Sequence, residues 1–175
     1  TQSTEFVEIT EIENTTEDIT NTSIDNTIEK SKIKSVSLGQ RCSGCIDNNG
    51  RLYMWGNNSS GQLGNGTTND SSTPIKIMDN IKEINLGGFS SSAIMKDGSL
   101  YMWGGNWCYQ LGNGTDEDSL TPIKIMDNIK SVTLGSGHNA LITEDGSLYM
   151  WGYNNRGQVG NGASTYILSL IHISE

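Results

Sequence analysis

The strongest constraint on the fold is an internal repeat of 48 residues. Trp55, Trp103 and Trp151 are separated by this interval, and each lies in the same segment, Leu-Tyr-Met-Trp-Gly. A second motif, Gly-Gln-Leu-Gly-Asn-Gly or a close variant, follows each tryptophan, and one stretch of ten residues occurs twice, at 73–82 and 121–130. Repeats of this length predict a stack of similar units rather than one irregular domain.

Each unit is predicted to contain four short strands. The first alternates apolar and polar residues before a glycine, as in residues 34–38, and a second run leads to an Asn-Gly or Asp-Gly pair. Such pairs favour tight hairpin turns, because both residues accept positive φ angles. The third strand is the Leu-Tyr-Met-Trp segment. The fourth is expected to begin at a proline, as at Pro74, where a missing N–H does least harm.

The third strand is apolar on both of its faces, as residues 52–55 illustrate. A strand of this kind must be covered on both sides. Four-stranded sheets that stack radially provide such cover, and a unit of about fifty residues is typical of a propeller blade. The predicted fold class is therefore all-β: a partial β-propeller with two four-stranded antiparallel blades, an incomplete third and a non-repeat N-terminal tail.

The order and spacing of these motifs resemble the regulator of chromosome condensation (RCC) type repeat family. In the third unit the matching elements are Gly135, His138, Leu141 and the segments 145–152 and 157–162, and the likeness covers residues 33–162. Family members are typically closed propellers with more blades than this chain carries, so the resemblance implies a fragment. It also implies structural roles for six repeat residues: Trp55, Gly56, Trp103, Gly104, Trp151 and Gly152.

The chain is expected to divide into an acidic tail, three repeats and a short terminal segment. Residues 1–31 predict a disordered Thr- and Glu-rich linker, although the alternation in residues 6–13 leaves room for one strand. The repeats are placed at 32–81, 82–129 and 130–167. Residues 168–175 resemble the in-frame translation of a transposase-end sequencing adapter and are interpreted as non-native, the alternative being a divergent strand.

Charge and hydropathy exclude two classes of partner. The net charge is −9, and the first thirty residues hold eight of the twenty acidic side chains but one basic one. The remaining basic residues are scattered singly, which argues against nucleic-acid binding, because phosphate contacts need clustered Lys and Arg. No apolar stretch in the fragment is long enough to predict a membrane span.

Three sequence features invite a chemical interpretation, and each has a structural one that we favour. Cys42 and Cys45 form a C-x-x-C, but residues three apart in a strand point to opposite faces, and Cys108 stands alone. Structural thiols are therefore expected, with no metal site. The glycines of the segment 61–66 lack the lysine of a phosphate-binding loop and predict turns. The acidic residues 116–118 suggest calcium or, more simply, a solvated loop.

One loop patch is the candidate binding site. In a four-stranded meander, the connections after the first and third strands emerge on the same side of the sheet. The second repeat alone carries Phe89, Trp107 and Tyr109 in these connections, and Tyr109 replaces the glycine found at positions 61 and 157. Exposed aromatic side chains are common in binding surfaces. The alternative is that they cover the apolar rim of the blade.

No catalytic constellation can be assembled, because His138 matches a family position with an expected role in local hydrogen bonding, and His172 lies in the terminal segment. The chain is therefore predicted to be a non-enzymatic scaffold without a cofactor, binding a protein or a glycan. Its composition, with eight lysines to three arginines, suggests a bacterial source, and a surface or secreted location is expected. The alternative is a regulatory propeller, similar to the guanine-nucleotide-exchange members of the family, attached to a catalytic or GTPase-linked domain outside the fragment.

Overall fold

A computed structural model describes residues 32–173, which form twelve β-strands in three sheets. The first sheet contains β1 (Ile33–Leu38), β2 (Cys42–Asp47), β3 (Leu52–Gly56) and β4 (Ser71–Met78). The second contains β5 (Ile81–Leu86), β6 (Ser90–Met95), β7 (Leu100–Gly104) and β8 (Ser119–Met126). The third contains β9 (Ile129–Leu134), β10 (His138–Thr143), β11 (Leu148–Gly152) and β12 (Ile167–Ile173).

Every sheet is an antiparallel meander whose strands lie in chain order. The first strands of neighbouring sheets contact each other, as β1 does β5 and β5 does β9, so they form the inner side of the arc. The predicted all-β, partial-propeller fold is confirmed. The predicted N-terminal tail, residues 1–31, lies outside the described residues.

The fourth strands differ from the sequence-based prediction. β4 and β8 begin three residues before Pro74 and Pro122, so each proline lies inside its strand. The strands are outer edge strands, and the register between them and the third strands shifts close to the proline. A proline is tolerated at such an irregular edge, because no neighbouring strand requires its N–H.

The third sheet is complete, where the sequence predicted an incomplete one. β12 pairs with β11 and reaches Ile173, beyond the boundary expected at residue 167. Its register repeats that of β8: Gly152 lies opposite Ile167 and Met150 opposite Ile171, as Gly104 lies opposite Ser119 and Met102 opposite Ile123. The prediction failed because Leu170 and His172 replace the proline and lysine of the repeated motif, although Leu168, Ile171 and Ile173 match Leu120, Ile123 and Ile125 of β8. The non-native origin of residues 168–175 stays a prediction.

The apolar core lies between the sheets, and β7 contributes to both halves of it. Trp103 packs with the first sheet, in a buried cluster that includes Leu52, Met54 and Ile84. Its neighbour Met102 faces the other way, into a cluster shared with the third sheet. Successive side chains of a strand point to opposite faces, so an all-apolar strand can fill two cores. This is the physical reason for the repeated Leu-Tyr-Met-Trp segment.

A polar contact joins the second and the third sheet to the loop of the sheet before each of them. The indole Nε1 of Trp103 donates to the carbonyl oxygen of Gln62 at 2.9 Å, and that of Trp151 donates to the carbonyl of Gln110 at 2.7 Å. Gly64 lies flat on the Trp103 ring at a φ of 75°, and a Cβ there would stand 2.7 Å from the indole nitrogen. The Gln-Leu-Gly motif therefore forms the surface on which the tryptophan of the next repeat packs.

Three buried asparagines hold these loops in shape, and sequence analysis did not identify them. Asn106 donates from Nδ2 to the carbonyls of Thr115 and Glu117 and accepts the N–H of Leu111 at Oδ1, at 2.8 to 3.1 Å. Asn58 makes the same three bonds in the first sheet, and Asn154 makes two of them in the third, to the carbonyl of Ala163 and from the N–H of Val159. Each stands three residues after the repeated tryptophan, so the same 48-residue comparison contained the signal.

Removal of the indole N–H is expected to loosen the second sheet from the first. Trp103→Phe eliminates the bond to Gln62 and leaves a small void, at a cost of about 2 kcal/mol in the free energy of unfolding. The same change at Trp55, which is only partly buried, is expected to cost less than about half of that. Urea unfolding followed by circular dichroism measures both, and equal losses would contradict the role assigned to the indole contact.

Loss of the loop asparagine is expected to be more damaging than its size suggests. Asn106→Ala leaves buried backbone groups without their partner, which costs about 2 to 4 kcal/mol of stability. Asn69→Ala is the matched control, because Asn69 is exposed and bonds to Asn58 and Thr67 through its backbone, which the substitution keeps. This change should alter the free energy of unfolding by less than about 0.5 kcal/mol. The midpoints of urea unfolding compare the two.

Candidate binding surface

The predicted patch lies on loops at one end of the second sheet. Phe89 ends the connection between β5 and β6, and Trp107 lies in the connection between β7 and β8. Their rings contact each other edge to face, with centroids 4.3 Å apart, and both pack beside Gly105. Trp107 is 49% exposed, which is unusual for so large an apolar side chain, so one part of this pair faces solvent.

Tyr109 does not join that pair but contacts Tyr166, in the loop before β12. Its ring lies edge to face against Tyr166, with centroids 5.8 Å apart. Its φ is 61°, close to the 75° of Gly61 and the 72° of Gly157 at the same position of the other repeats. A left-handed conformation costs an L-residue about 1 to 2 kcal/mol, so the tyrosine occupies a backbone position that favours glycine.

Two further tyrosines and a cysteine join the predicted residues. Tyr153 packs against Tyr166, with ring centroids 5.4 Å apart. Cys108 is buried and stands between Trp107 and Tyr109 in the chain, so one residue separates the two aromatic groups. The ring pair and the three tyrosines lie on loops of the second and third repeats and are together called the aromatic strip: Phe89, Trp107, Tyr109, Tyr153 and Tyr166.

Sequence analysis missed Tyr153 and Tyr166 because it compared loop residues in the second repeat alone. Tyr166 stands where the first two repeats have Asp70 and Asp118. Those carboxylates accept the N–H of Asn58 and Asn106 at 2.7 Å and so brace the loops. In the third repeat an aromatic ring replaces this carboxylate, and the 48-residue alignment of the repeats shows the replacement.

The acidic residues 116–118 contribute to the framework of their loop. Asp118 is occupied by the backbone of Asn106, and the carbonyl of Glu117 accepts from the same asparagine. Among residues 32–173, no group of three or more His, Cys, Asp or Glu side chains is placed to hold a metal ion. The choice between a calcium site and a solvated loop stays a prediction.

The cysteines are buried and are not poised for chemistry. Cys42 packs in the core between the first and second sheets, where burial raises the pKa of its thiol to about 11. Burial, followed by the negative charge of Asp47, raises the pKa of the Cys45 thiol, and burial raises that of Cys108. Thiolates are the reactive form, so all three groups are less reactive than an exposed cysteine.

His138 and the loop glycines have backbone roles. The carbonyl of His138 accepts the N–H of Gly135 at 2.9 Å, and Cys42 and Ser90 make the same bond in the other sheets, so this hydrogen bond does not depend on the side chain. The glycines at 61, 64 and 66 adopt positive φ angles of 75° to 81° and form turns, as predicted.

The described part of the chain contains no helix long and apolar enough to cross a membrane.

Comparison with solved structures places the fold among known propellers. Yeast RCC1 (Prp20), in a complex with Kap60, superposes with a TM-score of 0.75 at 23% identity over 82% of this chain and 37% of that one. Prp20p from Saccharomyces cerevisiae, in a structure whose title refers to its binding properties to Gsp1p and histones, gives 0.74 at 23% identity, over 82% of this chain and 38% of that one. Human WBSCR16 superposes with a TM-score of 0.75 at 21% identity, over 85% of this chain and 41% of that one.

The chain thus spans about two fifths of the length of these structures, and at such identities the likeness establishes the fold alone. The sequence comparison is more specific. The family model described as the regulator of chromosome condensation (RCC1) repeat matches residues 49–94 and 97–142, and a second model of the same description matches 33–62 and 129–158. Because these matches cover most of the chain with the motifs in register, the chain belongs to the RCC1 repeat family.

Proposed function

We propose that this chain is part of a non-enzymatic scaffold that binds another protein through the aromatic strip. The observation that carries the proposal is Tyr109, which keeps a left-handed backbone conformation at a position where both other repeats have glycine. A residue retained in a strained conformation is a reason to suspect a function for its side chain. Its ring is only partly buried and adjoins further exposed aromatic surface.

The composition of the strip supports a protein partner. Tyrosine and tryptophan are enriched among the residues that dominate the energy of protein interfaces, because they bury much area at little cost in conformational entropy. The loops that carry them are fixed from within by Asn106 and Asn154, so little order has to be gained on binding. The RCC1 structures that resemble this fold include one of yeast RCC1 with a protein, Kap60.

The location and the source complete the proposal. A bacterial surface or secreted protein is the context in which we place this scaffold, because lysines outnumber arginines eight to three and the segment 1–31 is acidic. A glycan is the other ligand class that stacks on exposed aromatic rings, and it is treated as an outcome of the test.

The test replaces the strip residues by those that the first repeat has at the same positions. Trp107→Ser with Tyr109→Gly restores the residues found at Ser59 and Gly61, which this fold already accommodates. Quantitative affinity capture from cells and a glycan array are carried out with the wild type and the double variant. We expect the captured protein to bind the double variant at least about tenfold more weakly, as for loss of an aromatic hot spot.

Glu144→Ala is the matched control, because Glu144 is exposed in the turn between β10 and β11 at the opposite end of the sheet. It should capture the same protein as the wild type. Equal capture by the double variant would remove the aromatic strip from the proposal. Loss of glycan-array binding in the double variant, without a captured protein, would replace the protein partner by a glycan.

A further inference from the structure

We infer that the aromatic strip contains a slot at Gly105 which receives a neutral carbonyl oxygen of the bound partner, and that the side-chain amide of Gln110 donates to this oxygen. The observation behind it is a buried hydrogen-bond donor, Nε2 of Gln110, that has no acceptor among residues 32–173. Such a slot deepens the proposed function, on which it rests, by defining the chemistry of the ligand.

The glutamine of the loop motif has the same orientation in the first two repeats. Oε1 of Gln62 accepts the N–H of Ser60 at 2.9 Å, and Oε1 of Gln110 accepts the N–H of Cys108 at 2.7 Å. Because only the oxygen of an amide can accept, this bond fixes the direction in which each Nε2 points. Nε2 of Gln62 donates to Oδ1 of Asn57 at 2.9 Å, whereas Nε2 of Gln110 has no such partner in the described part of the chain.

The sequence explains the missing acceptor. Gly105 stands where the first repeat has Asn57, so the second repeat lacks the side chain whose oxygen would receive the Gln110 amide. Gln110 is 1% exposed, and bulk water therefore does not take the place of this oxygen. A buried donor without an acceptor destabilises the free protein, so a ligand that brings an acceptor to this position gains affinity from it.

The aromatic pair of the strip surrounds the position of the missing side chain. A Cβ at Gly105 would stand 3.2 Å from Cβ of Phe89 and 3.2 Å from Cζ3 of Trp107. The Trp107 ring thus lies where an asparagine at this position would extend. It is half-exposed, and exposed side chains change rotamer within nanoseconds. Trp107 is therefore a movable cover of the slot, and its ring can pack against the ligand that enters.

The charges of the loop favour a neutral oxygen over a carboxylate. Residues 105–118 contain no lysine or arginine, but they include three acidic residues, Asp116, Glu117 and Asp118. A carboxylate that enters a buried slot needs a cation beside it, and neighbouring negative charges oppose it. A backbone or side-chain amide carbonyl avoids both costs. It is also the same kind of oxygen that Asn57 supplies to Gln62 in the first repeat.

A titration of the full 175-residue chain with N,N-dimethylacetamide tests the slot, because this probe accepts a hydrogen bond but cannot donate one. Nitrogen–proton correlation NMR spectra resolve the side-chain amide of each glutamine. We expect a saturable downfield shift of the Gln110 side-chain signals, since their protons gain an acceptor. Gln62 is the internal control: Asn57 already occupies its donor, so its signals should stay in place. Acetate, a carboxylate of similar size, should not shift the Gln110 signals.

Two substitutions at Gly105 separate the hydrogen bond from the shape of the slot. Gly105→Asn supplies an internal acceptor, as Asn57 does, and should abolish the response to the probe. Gly105→Ala is the matched control, because it adds the same Cβ without an oxygen, and the φ of Gly105 lies outside the left-handed region, so both residues fit the backbone. A protein captured by the strip should bind Gly105→Asn at least about tenfold more weakly than Gly105→Ala, as for loss of one buried hydrogen bond.

The slot and the proposed function can fail separately. Gln110 signals that do not respond to N,N-dimethylacetamide in the wild type would overturn the inference, and so would an equal response to acetate or a response that persists in Gly105→Asn. These measurements need no protein partner. If Trp107→Ser with Tyr109→Gly abolishes capture but Gln110 does not respond to the probe, the aromatic strip stands as a binding surface and the slot is removed from it.

Discussion

The hydrogen bond from a tryptophan indole to the preceding loop is the contact on which the architecture depends. It fixes the distance and the angle between sheets, because the acceptor is a backbone carbonyl in a turn and the donor is a ring buried in the core. Apolar packing alone is tolerant of small shifts, whereas a buried polar pair of this kind is not. The carbonyls of Gln62 and Gln110 also accept from Ser91 and Asn139, so this repeated polar contact helps to hold the sheets in one orientation.

That contact depends in turn on the buried loop asparagines. Asn58 accepts the N–H of Leu63, the residue after Gln62, so it holds the chain at the place where the carbonyl must point at Trp103. The asparagine is fully buried, and its bonds to backbone groups replace those that water would supply. The loop after each third strand therefore has a fixed conformation and a structural role, although it has no regular secondary structure.

The sequence was sufficient for the fold because a 48-residue period is visible in the motifs themselves. It was less informative about β12, since Leu168 and Ile171 repeat the apolar positions of β8 but not its recognisable proline and lysine. The buried asparagines were missed for a different reason: a small polar residue in a loop is ordinarily assumed to be solvated, and only its three-dimensional surroundings show otherwise. Contacts between Tyr109 and Tyr166, which belong to different repeats, likewise depend on how the sheets stack.

The candidate surface and the inter-sheet junction share one loop. Tyr109 belongs to the aromatic strip, and the carbonyl of the next residue, Gln110, receives Trp151. The N–H of Tyr109 donates to the carbonyl of Asn106, so one asparagine holds both the strip and the junction in place. A ligand that contacts Tyr109 and Tyr166 together touches the second and third sheets at once. Binding there and stacking of the sheets are thus thermodynamically linked, because each favours the same arrangement of the loop.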